Sequence, residues 1–203
     1  MNILVIYTMT DAHICITHFN EDLDWTKSLK YDYTIISKKD TPLETPPNKG
    51  NEASGYLEYI IINYDNLHEY TIFLHGHRTS WHCTENIDKK VNNLIINRQY
   101  CNINDSVRKE RIGMYCEATQ QNIPETIKNI SLILNEPIHI HDLVYKQAAQ
   151  FYVHKDLIRR HTKEKYIQLY NFLMNTNILS WLTSRGFEYT WHYIFTGDHH
   201  DYS

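Results

Sequence analysis

Apolar and polar positions along the chain follow two rhythms, one of period two and one near 3.6. Short β-branched runs predict strands over Ile3 to Thr8, Ile14 to His18 and Tyr33 to Ser37. A loop with Pro42, Pro46, Pro47 and Gly50 follows the third run. Leu57, Ile60, Ile61 and Tyr64 then recur at i, i+3, i+4 and i+7, the apolar face of a helix. Thr71 to Leu74 is a continuous apolar run, the composition of a buried strand. Thr84 is placed to N-cap a helix carrying Ile87, Val91, Leu94 and Ile95 on one side. Residues Tyr100 to Gln121 predict an irregular connection with one strand near Ile112 to Cys116. Pro124 suits the first turn of a helix reaching Leu134. Gln150 to Val153 predicts a strand; Tyr166, Leu169, Tyr170 and Leu173 mark a further helix. Trp181 to Phe195 predicts mostly helix, broken at Gly186. Strands alternating with helices imply an α/β fold around a largely parallel sheet.

Composition narrows the class. With 203 residues and 42% hydrophobic positions, the chain has the material for one core and is read as a single domain over 1–203. The ligand-rich segment from Gly197 to Asp201 suggests a flexible tail over 196–203. A net charge of -4 supplies no basic field for nucleic acid. Cys15, Cys83, Cys101 and Cys116 are scattered without a CxxC pair, the pattern of free thiols in a reducing compartment. The N-terminal MNILVIYTM lacks a basic leader and reads as a strand, and no apolar run approaches bilayer-spanning length. These features predict a soluble, cytoplasmic protein.

Candidate chemistry gathers where predicted strands end. His75-Gly76-His77 closes the apolar run Thr71 to Leu74. Alternate positions on a strand point the same way, so two imidazoles flank a glycine that admits close approach. In open α/β sheets, ligands bind beyond the carboxyl ends of the strands. A metal or phosphate site is one reading; histidines that merely satisfy backbone groups are the other. Thr17, His18, Asn20, Glu21, Asp22, Asp24 and Trp25 follow another strand end, where carboxylates could meet sugar or nucleotide hydroxyls or simply cap a helix. Asn48, Gly50 and Glu52 precede the first amphipathic helix, whose N-terminus offers backbone N–H groups to an anion. Trp25, Trp81 and Trp191 are candidates for stacking on a ring, although core packing suits at least two of them. Arg159 and Arg160 have the donors for a diphosphate but equally fit an exposed helix face.

Several of these segments together resemble a family known only as a domain of unknown function, found in fungi, bacteria and large DNA viruses. The resemblance is carried by Asn20-Glu21-Asp22-Leu23-x-Trp25, by Asn48-x-Gly50-x-Glu52-Ala53, and by Tyr56-Leu57-x-Tyr59-Ile60-Ile61 with Asn63-Tyr64-Asp65-x-Leu67. It continues through Phe73-Leu74-His75-Gly76, Ala149-Gln150-Phe151-x-Val153, then Ile158, Arg159, Arg160 and Tyr166, and closes with Glu188, Trp191, Ile194 and Phe195. Asn51 and Tyr189 stand where the family usually has arginine.

That family is similar to small glycosyltransferases of the GT-A type, including a domain encoded by large algal viruses. The resemblance implies a GT-A-like, mostly parallel α/β domain that transfers sugar from a nucleotide-diphosphate donor, UDP- or GDP-linked, to a glycan acceptor. His75-Gly76-His77 stands where GT-A enzymes carry an Asp-x-Asp metal motif. The implied metal ligands are His75 and His77, with His192 as a further ligand. Imidazole makes Mn²⁺ a better expectation than Mg²⁺, and metal-free binding stays open. Glu188 is the first candidate for the base that deprotonates the acceptor, with Glu21 or Asp22 second. Thr17, His18, Asn20, Glu21, Asn48, Gly50, Glu52 and Gly76 are the implied donor contacts. A metal-dependent hydrolase and a non-catalytic nucleotide- or carbohydrate-binding protein are the alternatives.

Overall fold

The computed structural model describes residues 11–38, 48–105, 109–111, 122–146, 148–201 and 203. Two predicted strands, Ile3 to Thr8 and Ile112 to Cys116, lie outside these residues, as does Cys116. Five strands form the main sheet: β1 (Ala12–His18), β2 (Tyr33–Ser37), β3 (Tyr70–His75), β4 (Tyr100–Asn102) and β7 (Phe151–His154). Their order is β2-β1-β3-β7-β4. β1 runs parallel to both β2 and β3, while β7 is antiparallel to β3 and to β4. The sheet is therefore mixed rather than largely parallel. β5 (Lys109–Arg111) and β6 (Val144–Lys146) make a separate antiparallel pair.

Helices α1 (Asn51–Asn63), α5 (Lys163–Asn175) and α6 (Ser180–Thr196) cover one face of the sheet, and the short helix α4 (Lys155–Ile158) follows β7. Cys15 and Phe73 point into that layer, against Tyr56, Tyr59, Leu169, Leu173 and Trp191. Ile14, Ile16, Ile72 and Leu74 point the other way, onto Trp25, Ile87, Val91 and Ile103. This alternation is the period of two expected of a strand buried on both faces. A third apolar cluster joins α3 (Asn122–Leu134) to α6 through Ile123, Ile127, Leu182, Tyr189 and Tyr193.

Two predicted helix details differ. α2 spans only Ile87–Asn92 and is N-capped by Asn86; Thr84 instead bonds Asp105 through both its backbone N–H and its hydroxyl. Ile95 lies beyond the helix and is exposed. α6 runs unbroken through Gly186. A Cβ there would stand 2.4 Å from Thr126 Cγ2, so the glycine serves close packing of α6 on α3, not a break. The C-terminal segment docks: His200 bridges Val144, and Asn102 N–H donates to Ser203 Oγ. No helix among the described residues is long and apolar enough to cross a membrane.

Candidate functional site

The chain runs from β1 outward to β2, then returns to place β3 on the other side of β1. That reversal opens a crevice at the carboxyl ends of β1 and β3, the place where open α/β sheets take ligands. Two adjoining recesses occupy it. The larger, about 670 Å³, lies between the segment Asn20 to Ser28 and the turn His77 to Thr79. The smaller, about 240 Å³, lies between Thr17 to Glu21, the first turn of α1 and His75 to His77. Glu21 and His77 line both.

Glu21 is the hinge between them. Its Oε2 accepts the backbone N–H groups of Phe19 (2.7 Å) and Asn20 (3.1 Å), and its Oε1 stands 3.5 Å from His77 Nε2. These donors and the nearby imidazole outweigh burial, so the carboxyl titrates below its ordinary value. Gly76 is needed here, because a Cβ would come within 2.9 Å of Glu21 Oε2. Trp25 Nε1 donates to the Gly76 carbonyl at 3.0 Å, which pins the Asn20 to Ser28 wall to the end of β3.

His75 and His77 part company. β3 ends at His75, so the period of two does not carry through to His77. The His75 ring meets His82 edge-on at 5.7 Å, and its backbone N–H donates to Gln150 Oε1 (3.4 Å). Burial holds both His75 and His82 down at about 4. His82 Nδ1 is 2.7 Å from Asn104 Oδ1, which also accepts from Gln150 Nε2 (3.0 Å). His75 Nε2 is buried and has no hydrogen-bond partner.

The carboxylates of the helical layer approach from the opposite wall. Glu52, in the first turn of α1, lines the smaller recess and accepts from Ser184 Oγ at 3.0 Å. Glu188, one turn further along α6, accepts the Ala148 N–H (2.8 Å) and faces Arg185 at 3.7 Å. Burial raises both carboxyls, and each proximity to a cation, Lys38 and Arg185 for Glu52 and Arg185 for Glu188, only partly opposes it. Thr17 Oγ1 donates to the Glu52 carbonyl, His18 Nε2 sits 3.2 Å from the Glu21 carbonyl, and Asn48 lines the recess. Gly50 is buried against Leu173. Asp22 is exposed on the outer wall, where its Oδ1 accepts the Asp24 N–H.

The structure does not bring the remaining expected residues to the crevice. His192 lines a different cleft with Gln99 and Tyr100. Tyr100 pairs with Val153, late in β7, so that cleft lies at the other end of the sheet from His75. Arg159 and Arg160 follow β7 and also lie there; Arg159 donates to the carbonyls of Tyr64 and Asp65, and Arg160 pairs with Glu136 at 2.7 Å. Trp25 and Trp191 are buried in cores, whereas Trp81 is exposed. Among the described residues, no three His, Cys, Asp or Glu side chains converge on one point. With His75 turned onto His82 and His192 remote, the set His75, His77 and His192 does not fit a resident metal ion.

The residues that sequence reasoning missed are His82's partners, Asn104 and Gln150, and the Ser184–Arg185 pair. The latter precede Glu188 by four and three positions, a helical spacing that marks one face of α6. Asn104 lies in the polar stretch that carries no periodicity. Comparison with known proteins agrees with the resemblance at the family level: residues 14–202 match the family described as "Protein of unknown function (DUF3431)". The chain belongs to this family. No curated protein and no solved structure matches it.

Proposed function

We propose that this member of the family is a glycosyltransferase of the GT-A type, moving a sugar from a nucleotide-diphosphate donor, UDP- or GDP-linked, to a glycan acceptor. The observation that carries this reading is the two-part crevice at the ends of β1 and β3, divided by Glu21 and His77. A transfer between two substrates brings their reacting atoms together at one boundary, which two adjoining recesses provide. The larger one has room for a nucleotide and offers Arg78, Lys27 and the hydroxyls of Ser28 and Thr79. Glycosyl transfer loads negative charge onto the departing diphosphate, and preorganised donors and cations stabilise it there. Lys27 is paired with Asp24, and Arg78 with Asp88, so Glu21 and Asp22 leave the wall acidic. The acidic wall holds no metal ion of its own, so a divalent cation would come only as the counter-ion of the diphosphate, Mn²⁺ ahead of Mg²⁺ beside an imidazole.

The test is a thermal-shift screen of UDP, GDP and their sugars, with and without Mn²⁺, followed by detection of released nucleoside diphosphate. A donor at a hundred times its Kd stabilises by about 2.7 kcal/mol. For a chain of this length that is a rise of roughly 5–10 °C. No shift with any nucleotide sugar at millimolar concentration would end the reading. A second reading, a non-catalytic nucleotide- or carbohydrate-binding protein, is favoured by one observation. Glu188 is committed to Ala148 and Arg185 rather than standing open as a base. Under that reading nucleotide sugars bind but no diphosphate is released. The convergence of ligands that a metal-dependent hydrolase needs is absent among the described residues.

A further inference from the structure

A transfer joins its substrates at one place, and the base that deprotonates the acceptor must stand there. Of the described residues, only Glu21 and His77 line both recesses. Glu52 borders the smaller recess alone and Asp22 the larger, while Glu188 is held by Ala148 and Arg185. The choice of proton acceptor falls between the two shared side chains.

They differ in what they can offer. Glu21 is 18% exposed, and its Oε2 already accepts two backbone N–H groups, from Phe19 and Asn20. Donors so arranged stabilise the carboxylate and make it a poor proton acceptor. His77 is 61% exposed, with Nε2 standing 3.5 Å from Glu21 Oε1. Contacts of this kind are often loose in unliganded sites and tighten with substrate. A neutral imidazole donates from one nitrogen and accepts at the other, whereas a carboxylate can only accept. The Nε2 that faces Glu21 is therefore the nitrogen that carries the proton, and Nδ1 is left to accept one. The backbone bonds to Glu21 and the close approach of Gly76 fix the carboxylate that makes this selection.

We propose that His77 is the catalytic base, taking the acceptor's hydroxyl proton at Nδ1, and that Glu21 is the positioning residue that sets its tautomer. The inference rests on the glycosyltransferase reading above. The hydroxyl oxygen forms a bond to the anomeric carbon of the donor. The bond from that carbon to the diphosphate oxygen breaks, and its electron pair leaves on the nucleoside diphosphate. The hydroxyl proton passes to His77 Nδ1. The Glu21 carboxylate balances the imidazolium so formed until the proton is lost to water.

The experiment compares the native chain with H77A and E21A. ¹⁵N NMR reports the His77 tautomer at a pH where the ring is neutral, a readout that needs neither substrate nor turnover. Donor binding is followed by thermal shift with and without Mn²⁺, and transfer by release of nucleoside diphosphate. Native His77 should carry its proton on Nε2, and E21A should lose that preference. H77A should lose kcat by about 10²–10⁴-fold with its donor-induced thermal shift intact. Millimolar imidazole should restore part of that rate, because a free base can enter the space left by an exposed ring; a ring that only packs gives no such rescue. Full turnover in H77A, loss of its donor-induced shift, a proton on Nδ1 in the native chain, or a tautomer unchanged in E21A would each overturn the proposal. No thermal shift with any nucleotide sugar removes the transferase reading and the base with it. Turnover that survives in H77A removes the base alone.

Discussion

At Gly50 the chain turns with φ of 69°, in the left-handed region, immediately before α1. An L side chain there costs about 1–2 kcal/mol. Its Cβ would also stand 2.2 Å from Leu173 Cδ2, and Leu173 is fully buried in the core. Gly50→Ala should therefore destabilise by about 2–4 kcal/mol, strain and overpacking together. Thermal unfolding should fall by roughly 5–15 °C; a drop of under 2 °C would show that Leu173 and the turn relax freely. The same scale explains what could be read at the site. That His75 and His77 frame a ligand-facing strand end follows from composition and period. What each ring touches does not, because the strand stops at His75 and the chain beyond it obeys no period. Glu21 answering His77, and His82 answering His75, depend on chain folding across the sheet.

Elements of five or more residues with clean periodicity were legible: β1, β2, β3, α1 and α5 fall where the apolar pattern puts them, and α3 falls where Pro124 starts it. β4, β5 and β6 have three residues each, too few to display alternation, and were not anticipated. The direction of β7 was hidden for a different reason. A long connection from β3 permits either orientation, and only register with β3 and β4 decides it. Asn104 holds that antiparallel corner together. Its Nδ2 donates to Asn102 Oδ1, to the Ala148 carbonyl at 2.9 Å and to the Gln150 carbonyl, and its Oδ1 accepts from Gln150 Nε2. Asn104 is itself buried, yet its acceptors keep other donors in Asn104→Ala: Asn102 Oδ1 keeps the backbone N–H at position 104, the Ala148 carbonyl keeps Asn102 Nδ2, and the Gln150 carbonyl keeps the Ile103 N–H. The loss is then that of the side-chain bonds themselves and should reach about 1–3 kcal/mol. Urea denaturation reads this as a lower midpoint at unchanged slope. A loss below 1 kcal/mol would mean that water replaces the side chain.

For the whole molecule, the buried ionisable groups around the crevice set how stability follows pH. His75 and His82 titrate at about 4 in the folded chain, against 6.5 for an ordinary imidazole, because burial disfavours the charged ring. Between those values the unfolded chain binds more protons, so stability is fully present above 6.5 and is lost as pH falls towards 4. Glu52 and Glu188 act with the opposite sign: their raised folded values favour the folded state in acid, and that contribution fades as pH rises. Glu21, Asp88 and Asp105 are depressed and add to acid loss, but only below the ordinary carboxylate range. From pH 7 to 5 His75 and His82 lead this fall, and His13, His161, His192 and His199, which burial also lowers, act in the same direction. His75 or His82 alone would cost nearly 2 kcal/mol over that interval, and the raised carboxyls offset part of the sum. The net expectation is a loss of about 2–3 kcal/mol, or roughly 5–10 °C in thermal unfolding. His82→Asn, which keeps a polar group beside Asn104, should lower stability at pH 7 yet flatten the fall towards pH 5. If the native chain unfolds at the same temperature at pH 5 as at pH 7, the imidazoles are open to water, and the close packing of His75 against His82 is not the solution structure.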